Sequence, residues 1–253
     1  MTVKAVEKIL RDLKLVTAAN ELSDVLKQSK ENVSLGWITN LLQREIDSRI
    51  EKSLQSKIIR SKIPKLKSFE EFEWEFNPGI SREKIEDIAS LEFIKNNGIV
   101  LFLGQPGTGK SHLASAIGLK AIYAGKTVYW SSLKRLAEDI TKAKAKNELS
   151  VLFKKILSSN LWILDDWGLV SLNREVSEEV FDLLDRRTFC TSMILTSNRD
   201  ISEWPEIFLD PVLASAAIDR IFDRAKVAIF KGKSYRAEGE EKVNVAKKKQ
   251  INL

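Results

Sequence analysis

One short run of residues has the clearest chemical meaning in this chain. Gly104-Gln105-Pro106-Gly107-Thr108-Gly109-Lys110-Ser111 follows an apolar segment and precedes a stretch with helical spacing. The spacing G-x-x-x-x-G-K-S is typical of a loop whose backbone N–H groups surround phosphate oxygens at the start of a helix. We expect Lys110 to reach the terminal phosphates of a nucleoside triphosphate and the Ser111 hydroxyl to bind Mg²⁺. The strand–loop–helix context disfavours a chance glycine-rich turn.

Two acidic residues end a second apolar segment, Leu161-Trp162-Ile163-Leu164-Asp165-Asp166. One carboxylate at such a strand end can hold Mg²⁺, and a second can deprotonate an attacking water. We therefore assign Asp165 to the metal and Asp166 to the activation of water. Taken alone, the pair is equally typical of a solvated turn, and its position downstream of the phosphate loop favours the chemical interpretation.

Three further residues are weaker candidates. Asn198 follows the apolar run that begins at Met193, and it can hydrogen-bond the terminal phosphate or the water, although asparagine is also common in turns. Arg220 lies on a late helical stretch beside acids, so it either forms ion pairs there or reaches the triphosphate of a neighbouring copy. His112 is the single histidine and directly follows the loop, so we include it among the nucleotide-binding candidates.

Alternating apolar segments predict the elements that position these residues. We predict strands at 99–103, 127–131, 161–165, 193–197 and 227–230. We predict helices at 112–124, 133–157, 174–189 and 211–223. Such alternation favours an α/β fold with a parallel five-stranded sheet covered by helices. The carboxyl ends of parallel strands share one edge, so the loop, Asp165 and Asn198 are expected to meet there.

The rest of the chain divides by composition. Residues 1–68 have helical spacing, 69–80 form an aromatic, acidic connector, 81–237 hold the nucleotide-binding core, and 238–253 form a basic tail that we expect to be flexible. The connector aromatics are expected mainly to pack on the core, and the alternative is that they approach an adenine ring. A single cysteine, Cys190, excludes an internal disulfide. No apolar run approaches the ~20 residues of a membrane span, so we expect no membrane partner. The lone cysteine suits a reducing compartment, so we expect a cytoplasmic protein.

The net charge of +6 is unevenly distributed. Residues 1–68 hold 14 basic and 8 acidic residues, and residues 231–253 hold 7 and 3, whereas the part between them holds 20 and 24. Basic ends around an acidic core indicate a phosphate backbone as partner, although solvated helices and a frayed tail would have the same composition.

Several segments together resemble a known family, the IstB-type helper ATPases of insertion sequences. These ATPases belong to the AAA+ class and are related to helicase loaders of the DnaC type. The resemblance covers roughly residues 1–237. The segments that carry it are Phe69 to Asn77-Pro78-Gly79, Thr196-Ser197-Asn198, Ser202-Glu203-Trp204-Pro205-Glu206, Asp210-Pro211-Val212-Leu213-Ala214 and Lys231-Gly232-Lys233-Ser234-Tyr235-Arg236. The Ser-Glu-Trp and Asp-Pro-Val-Leu-Ala segments are the most specific.

The resemblance implies an AAA+ ATPase that forms oligomers on duplex DNA with ATP and Mg²⁺ and delivers a transposase to target DNA. It implies that Asn198 is the sensor-1 residue and that Arg220 is an arginine finger acting at an interface between copies. About twenty residues follow the last strand, so we expect no C-terminal lid domain, and Arg236 is a weak substitute for the sensor-2 arginine. Asp166 stands where many members of the wider AAA+ class carry Glu, so we expect slow turnover that DNA or oligomerisation stimulates.

On this interpretation, basic side chains would contact DNA phosphates. The candidates are Arg44, Arg49, Lys52, Lys57, Arg60, Lys142, Lys144 and Lys146. Two alternatives stay open. One is a DnaC-like loader that holds single-stranded DNA and a replicative helicase, and the other is a nucleotide-gated DNA scaffold that does not hydrolyse ATP.

Overall fold

The computed structural model describes residues 2–28 and 36–237. The chain forms two compact units, Met1–Ser56 and Lys57–Leu253. The domain boundaries expected from composition at residues 68 and 80 stay predictions, and the tail at 238–253 lies outside the described residues. No helix in the described parts of the chain is long and apolar enough to cross a membrane.

The first unit is helical, which confirms the predicted N-terminal helices. It consists of α1 (Val3–Asp12), α2 (Val16–Gln28) and the first part of α3 (Gly36–Ser61). Val6, Leu10 and Ala19 are buried in its small core, with Leu22, Ile38 and Leu42 packed around them. In α1 and α2 the apolar residues recur at a spacing that places them on one face, as expected for helices that pack on a small core.

The second unit contains a five-stranded parallel sheet in the order β2-β3-β4-β1-β5. Its strands are β1 (Ile99–Gly104), β2 (Val128–Ser132), β3 (Leu161–Trp167), β4 (Ser192–Ser197) and β5 (Lys226–Phe230). Its further helices are α4 (Arg82–Ala89), α5 (Lys110–Tyr123), α6 (Leu133–Ala145), α7 (Leu149–Leu157), α8 (Arg174–Arg187) and α9 (Pro211–Phe222). The central strands are almost completely buried, as expected for a sheet with helices on both faces. The predicted strands and fold class are confirmed.

The prediction of a single helix over 133–157 is wrong, because the chain forms two helices there, α6 and α7. Asn147 adopts a left-handed backbone with φ of 56°. The amide of Glu148 donates to the Ala143 carbonyl at 2.8 Å, and the amide of Asn147 to that of Lys144 at 3.1 Å. These two hydrogen bonds form a Schellman motif, which ends many helices. The motif needs one residue with a left-handed backbone, and asparagine tolerates that conformation.

Helix α9 begins at a strong capping residue. The Asp210 carboxylate accepts hydrogen bonds from the amides of Val212 and Leu213 at 2.8 and 3.2 Å. Pro211 occupies the first helical turn, where its missing N–H costs nothing. The Asp-Pro pair therefore fixes the start of the helix that carries Arg220 in its last turn.

Replacing Asp210 tests this cap. We expect Asp210→Ala to lower the free energy of unfolding by about 1 kcal/mol, because two helix-terminal amides lose their acceptor. Asp200→Ala is the matched control, since Asp200 precedes the short helical turn Ile201–Ile207 without capping it. Urea unfolding measures both variants. Equal losses in the two would contradict the capping role.

Candidate active site

The loop 104–111 connects the end of β1 to the start of α5 and depends on glycine for two reasons. Gly107 and Gly109 have φ of 78° and 101°, a region that other residues rarely adopt. A Cβ at Gly107 would lie 2.1 Å from Ser234 Oγ, and one at Gly109 would lie 2.5 Å from Phe72 Cε2. Both the conformation of the loop and its close packing therefore exclude larger residues.

Lys110 is nearly buried within this loop. Its ammonium donates to the carbonyl oxygens of Gly104 and Gln105, both at 2.7 Å. Burial lowers the pKa of Lys110 to about 8, and the nearby carboxylates of Asp165 and Asp166 partly oppose that shift. The ammonium is thus held at the sheet edge in a poorly solvated position, where an anion would favour its charged form.

A β-bulge brings the two acids of β3 to the loop. Leu164 pairs with Leu195 of β4 and Trp167 with Ser197, so Asp165 and Asp166 both face the single residue between those partners. Adjacent side chains of a regular strand point to opposite faces of the sheet. The bulge removes that alternation, and Asp166 adopts a left-handed backbone with φ of 58°.

Asp165 makes the central contact of the site. Its Oδ1 atom accepts a hydrogen bond from the Ser111 hydroxyl at 2.8 Å and another from the Thr196 hydroxyl. The Ser111 and Asp165 oxygens, predicted from separate parts of the sequence, therefore lie side by side. Thr196 was not among the predicted site residues. Its signal in the sequence is weak, because a polar residue near a strand end is common.

These oxygens fit Mg²⁺. The ion prefers hard oxygen ligands and is held in phosphate-binding sites by one or two protein groups, with phosphate and water oxygens completing its shell. Ser111 and Asp165 supply such a hydroxyl and carboxylate. Among the described residues, no group of three His, Cys, Asp or Glu side chains is placed to hold a metal alone. The donor set therefore suits an ion that arrives with a phosphate ligand.

Asp166 lies half-buried beside Asp165. Burial raises the pKa of Asp166, and the adjacent Asp165 carboxylate raises it further, while Arg236, Lys110 and a hydrogen bond with Asn198 oppose the shift. A carboxylate with a raised pKa is a better proton acceptor. Asn198 lines the same cavity as Asp166, as expected for its position after β4.

A cavity of about 400 Å³ opens over the loop, Asp166 and Asn198. The connector contributes Phe72 and Phe76, and the segment after β5 contributes Tyr235 and Arg236. The His112 ring lines it too, with Nε2 2.9 Å from the Ser68 carbonyl oxygen and its edge against Phe72. The connector aromatics thus line the cavity over the loop, which fits the alternative that they approach an adenine ring.

Residues 231–236 lie against the loop and the connector. The Tyr235 amide donates to the Gly107 carbonyl at 3.0 Å. The Asn77 side chain hydrogen-bonds both the carbonyl and the amide of Lys233. The Tyr235 hydroxyl donates to Glu73 at 2.8 Å. This segment thereby forms one wall of the cavity and places Arg236 near Lys110 and Asp166.

Arg220 does not line this cavity. Its Nε donates to Asp185 Oδ1 of α8 at 2.6 Å, and both side chains are about half exposed. The alternative of an ion pair with an acid is therefore present, but its partner is on another helix. A salt bridge through Nε orients the guanidinium without excluding contacts by its two terminal NH₂ groups.

The basic side chains expected to contact DNA differ in their surroundings. Arg49 donates to Glu45 and to the Leu13 carbonyl. Lys57 donates to the Gly125 carbonyl, and Lys144 lies 3.0 Å from Glu179. Within the described residues, no hydrogen bond or ion pair of the other five side chains is found; these are Arg44, Lys52, Arg60, Lys142 and Lys146.

Comparison with known proteins identifies the family. The chain matches the family described as IstB-like ATP binding protein over residues 5–243. It is 35% identical over 244 residues to the insertion sequence IS21 putative ATP-binding protein of Pseudomonas aeruginosa, which covers 96% of this chain and 92% of that protein. It is 34% identical over 230 residues to the insertion sequence IS232 putative ATP-binding protein of Bacillus thuringiensis subsp. berliner, covering 90% of this chain and 92% of that protein.

A solved structure shares the fold. DnaI superposes with a TM-score of 0.57 at 18% identity, over 65% of this chain and 91% of DnaI. That likeness shows a shared fold and says nothing about partners. The phosphate loop, the paired acids at the sheet edge and the match over most of the sequence lead to one conclusion: this chain belongs to the IstB-like ATP binding protein family.

Proposed function

We propose that this protein is an ATP-dependent DNA-binding ATPase of an insertion sequence, which forms oligomers on duplex DNA and recruits a transposase. The observation that carries the ATPase part is the 2.8 Å hydrogen bond between Ser111 and Asp165. It joins the phosphate loop to the acids of β3 at one edge of the sheet. The insertion-sequence relatives support the role in transposition.

In this proposal, each residue of the site has its own role in the hydrolysis of ATP. Ser111 and Asp165 would hold Mg²⁺, which neutralises developing phosphate charge when it is bound. Lys110 binds the terminal phosphates through its ammonium. Asp166 accepts a proton from the water that attacks the terminal phosphorus, and Asn198 orients that water. The bond from this phosphorus to the bridging oxygen breaks, and that oxygen leaves with the diphosphate.

Two arginines complete the site in this proposal. Arg236 lies near Lys110 and Asp166, so it approaches the terminal phosphate within one subunit. Arg220 lies outside the cavity and is half exposed. It would therefore act on the triphosphate of a neighbouring subunit, where its charge stabilises the transition state. ATP would then bind between subunits.

The exposed basic side chains would bind DNA phosphates. Lys142 and Lys146 lie at the C-terminal end of α6 and are exposed, whereas Lys144 between them is already paired with Glu179. We expect the two exposed lysines to contribute more than Lys144. Contacts to phosphates carry no base information, so binding should depend on salt more than on sequence.

The salt dependence of DNA binding tests this surface. We expect duplex DNA affinity, measured by fluorescence anisotropy with ATP and Mg²⁺, to fall with salt. The double variant Lys142→Ala and Lys146→Ala should reduce the log–log slope by about two, since each phosphate contact contributes about 0.9. Lys144→Ala is the matched control and should change the slope little. A flat salt profile, or wild-type affinity indifferent to ATP, would contradict the proposal.

Subunit mixing tests the role of Arg220. We expect Arg220→Ala to bind ATP normally and to lose turnover on the order of a thousand-fold. Lys110→Ala should lose ATP binding. An equal mixture of the two should recover part of the wild-type phosphate release, because Lys110→Ala subunits supply Arg220 to intact sites. Arg224→Ala, a neighbouring exposed arginine, is the control. Normal hydrolysis by Arg220→Ala alone would refute the assignment.

A further inference from the structure

Thr196 connects both acids of β3 through one side chain. It is 1% exposed and is the next-to-last residue of β4. Its hydroxyl donates to Asp165 Oδ1 and accepts the backbone amide of Asp166 at 3.1 Å. A single hydroxyl therefore contacts the candidate metal ligand and the backbone of the candidate base.

The bulge explains why such a contact is needed. An extra residue in a strand interrupts the ladder of backbone hydrogen bonds and leaves groups without their regular partners. The Asp166 amide is such a group, and Thr196 accepts it. On the other side of the bulge, the Ser197 hydroxyl donates to the Trp167 carbonyl at 2.9 Å. Two consecutive hydroxyls of β4 thus replace the backbone bonds that the bulge removes.

The Thr196 hydroxyl also contacts the Asp165 side chain, which the backbone at the bulge does not require. Thr196 and Ser111 both donate to Oδ1 of this carboxylate, from β4 and from the phosphate loop respectively. Two donors on one oxygen restrict the rotation of the carboxylate. Valine has nearly the shape of threonine but no hydroxyl, so it would leave the part-buried Asp166 amide without an acceptor and Asp165 with one donor fewer.

We propose that Thr196 is a positioning residue of the triphosphate site, whose hydroxyl fixes the bulge that directs Asp165 to the metal and Asp166 to the attacking water. This inference rests on the proposed function and adds a residue to it. The hydroxyl acts through the two acids and does not itself touch the nucleotide.

Metal-dependent binding tests the inference. The affinity for a fluorescent ATP analogue is measured with Mg²⁺ and with EDTA for the wild type, Thr196→Val and Thr196→Ser, together with phosphate release. The ratio of the affinity with Mg²⁺ to the affinity with EDTA gives the effect of the metal. We expect this ratio to be at least about tenfold smaller in Thr196→Val than in the wild type, as for other groups that orient metal ligands. Thr196→Ser keeps the hydroxyl and should retain the wild-type effect of Mg²⁺ on binding. Thr191→Val removes an equally buried hydroxyl just before β4 and should behave as the wild type.

The outcomes separate this inference from the proposed function. If Mg²⁺ tightens binding equally in the wild type and in Thr196→Val, the role of Thr196 is overturned and the proposed function is not. A wild type without any Mg²⁺ effect overturns the proposed function. If Thr196→Val does not fold, hydrogen exchange of the Asp166 amide decides, since it should be protected in the wild type and in Thr196→Ser. Rapid exchange of that amide in the folded wild type would overturn the inference.

Discussion

The contact among Ser111, Asp165 and Thr196 is the interaction on which the rest of the site depends. It joins the helix after the phosphate loop to β3 and β4. Asp165 is 8% exposed, and a buried carboxylate is costly unless polar groups compensate its charge. The hydroxyls and the nearby Lys110 ammonium provide that compensation. The Mg²⁺ ion of a metal–phosphate ligand would add positive charge at the place where carboxylate charge is already concentrated.

Two segments distant in sequence complete the cavity over this contact. The connector supplies aromatic side chains, and residues 231–236 are tied to it through Asn77 and to the loop through the Tyr235 amide. The phosphate loop is therefore in direct contact with the connector and with residues 231–236. In the account proposed here, Arg220 is the part of the site that a second subunit supplies, so hydrolysis depends on assembly.

The sequence predicted the fold well, because apolar strand segments and the phosphate loop are local patterns. It also placed Ser111, Asp165 and Asn198 at one sheet edge, since parallel strands end together. It did not predict the break at Asn147, which depends on a left-handed backbone that several residues tolerate. Thr196 and Tyr235 were missed because their partners are far along the chain, and no spacing rule relates them. The chemical roles of the site residues stay predictions.

Phosphate release by Asp166→Asn decides whether the site hydrolyses ATP. The amide has nearly the size of the carboxylate but cannot accept the proton of the attacking water. With DNA, ATP and Mg²⁺, we expect this variant to bind ATP as tightly as the wild type. We expect it to release phosphate at least about a hundredfold more slowly, because a positioned base usually contributes at least that factor to the rate. Equal rates in the two proteins would contradict a hydrolytic site and favour a nucleotide-gated scaffold.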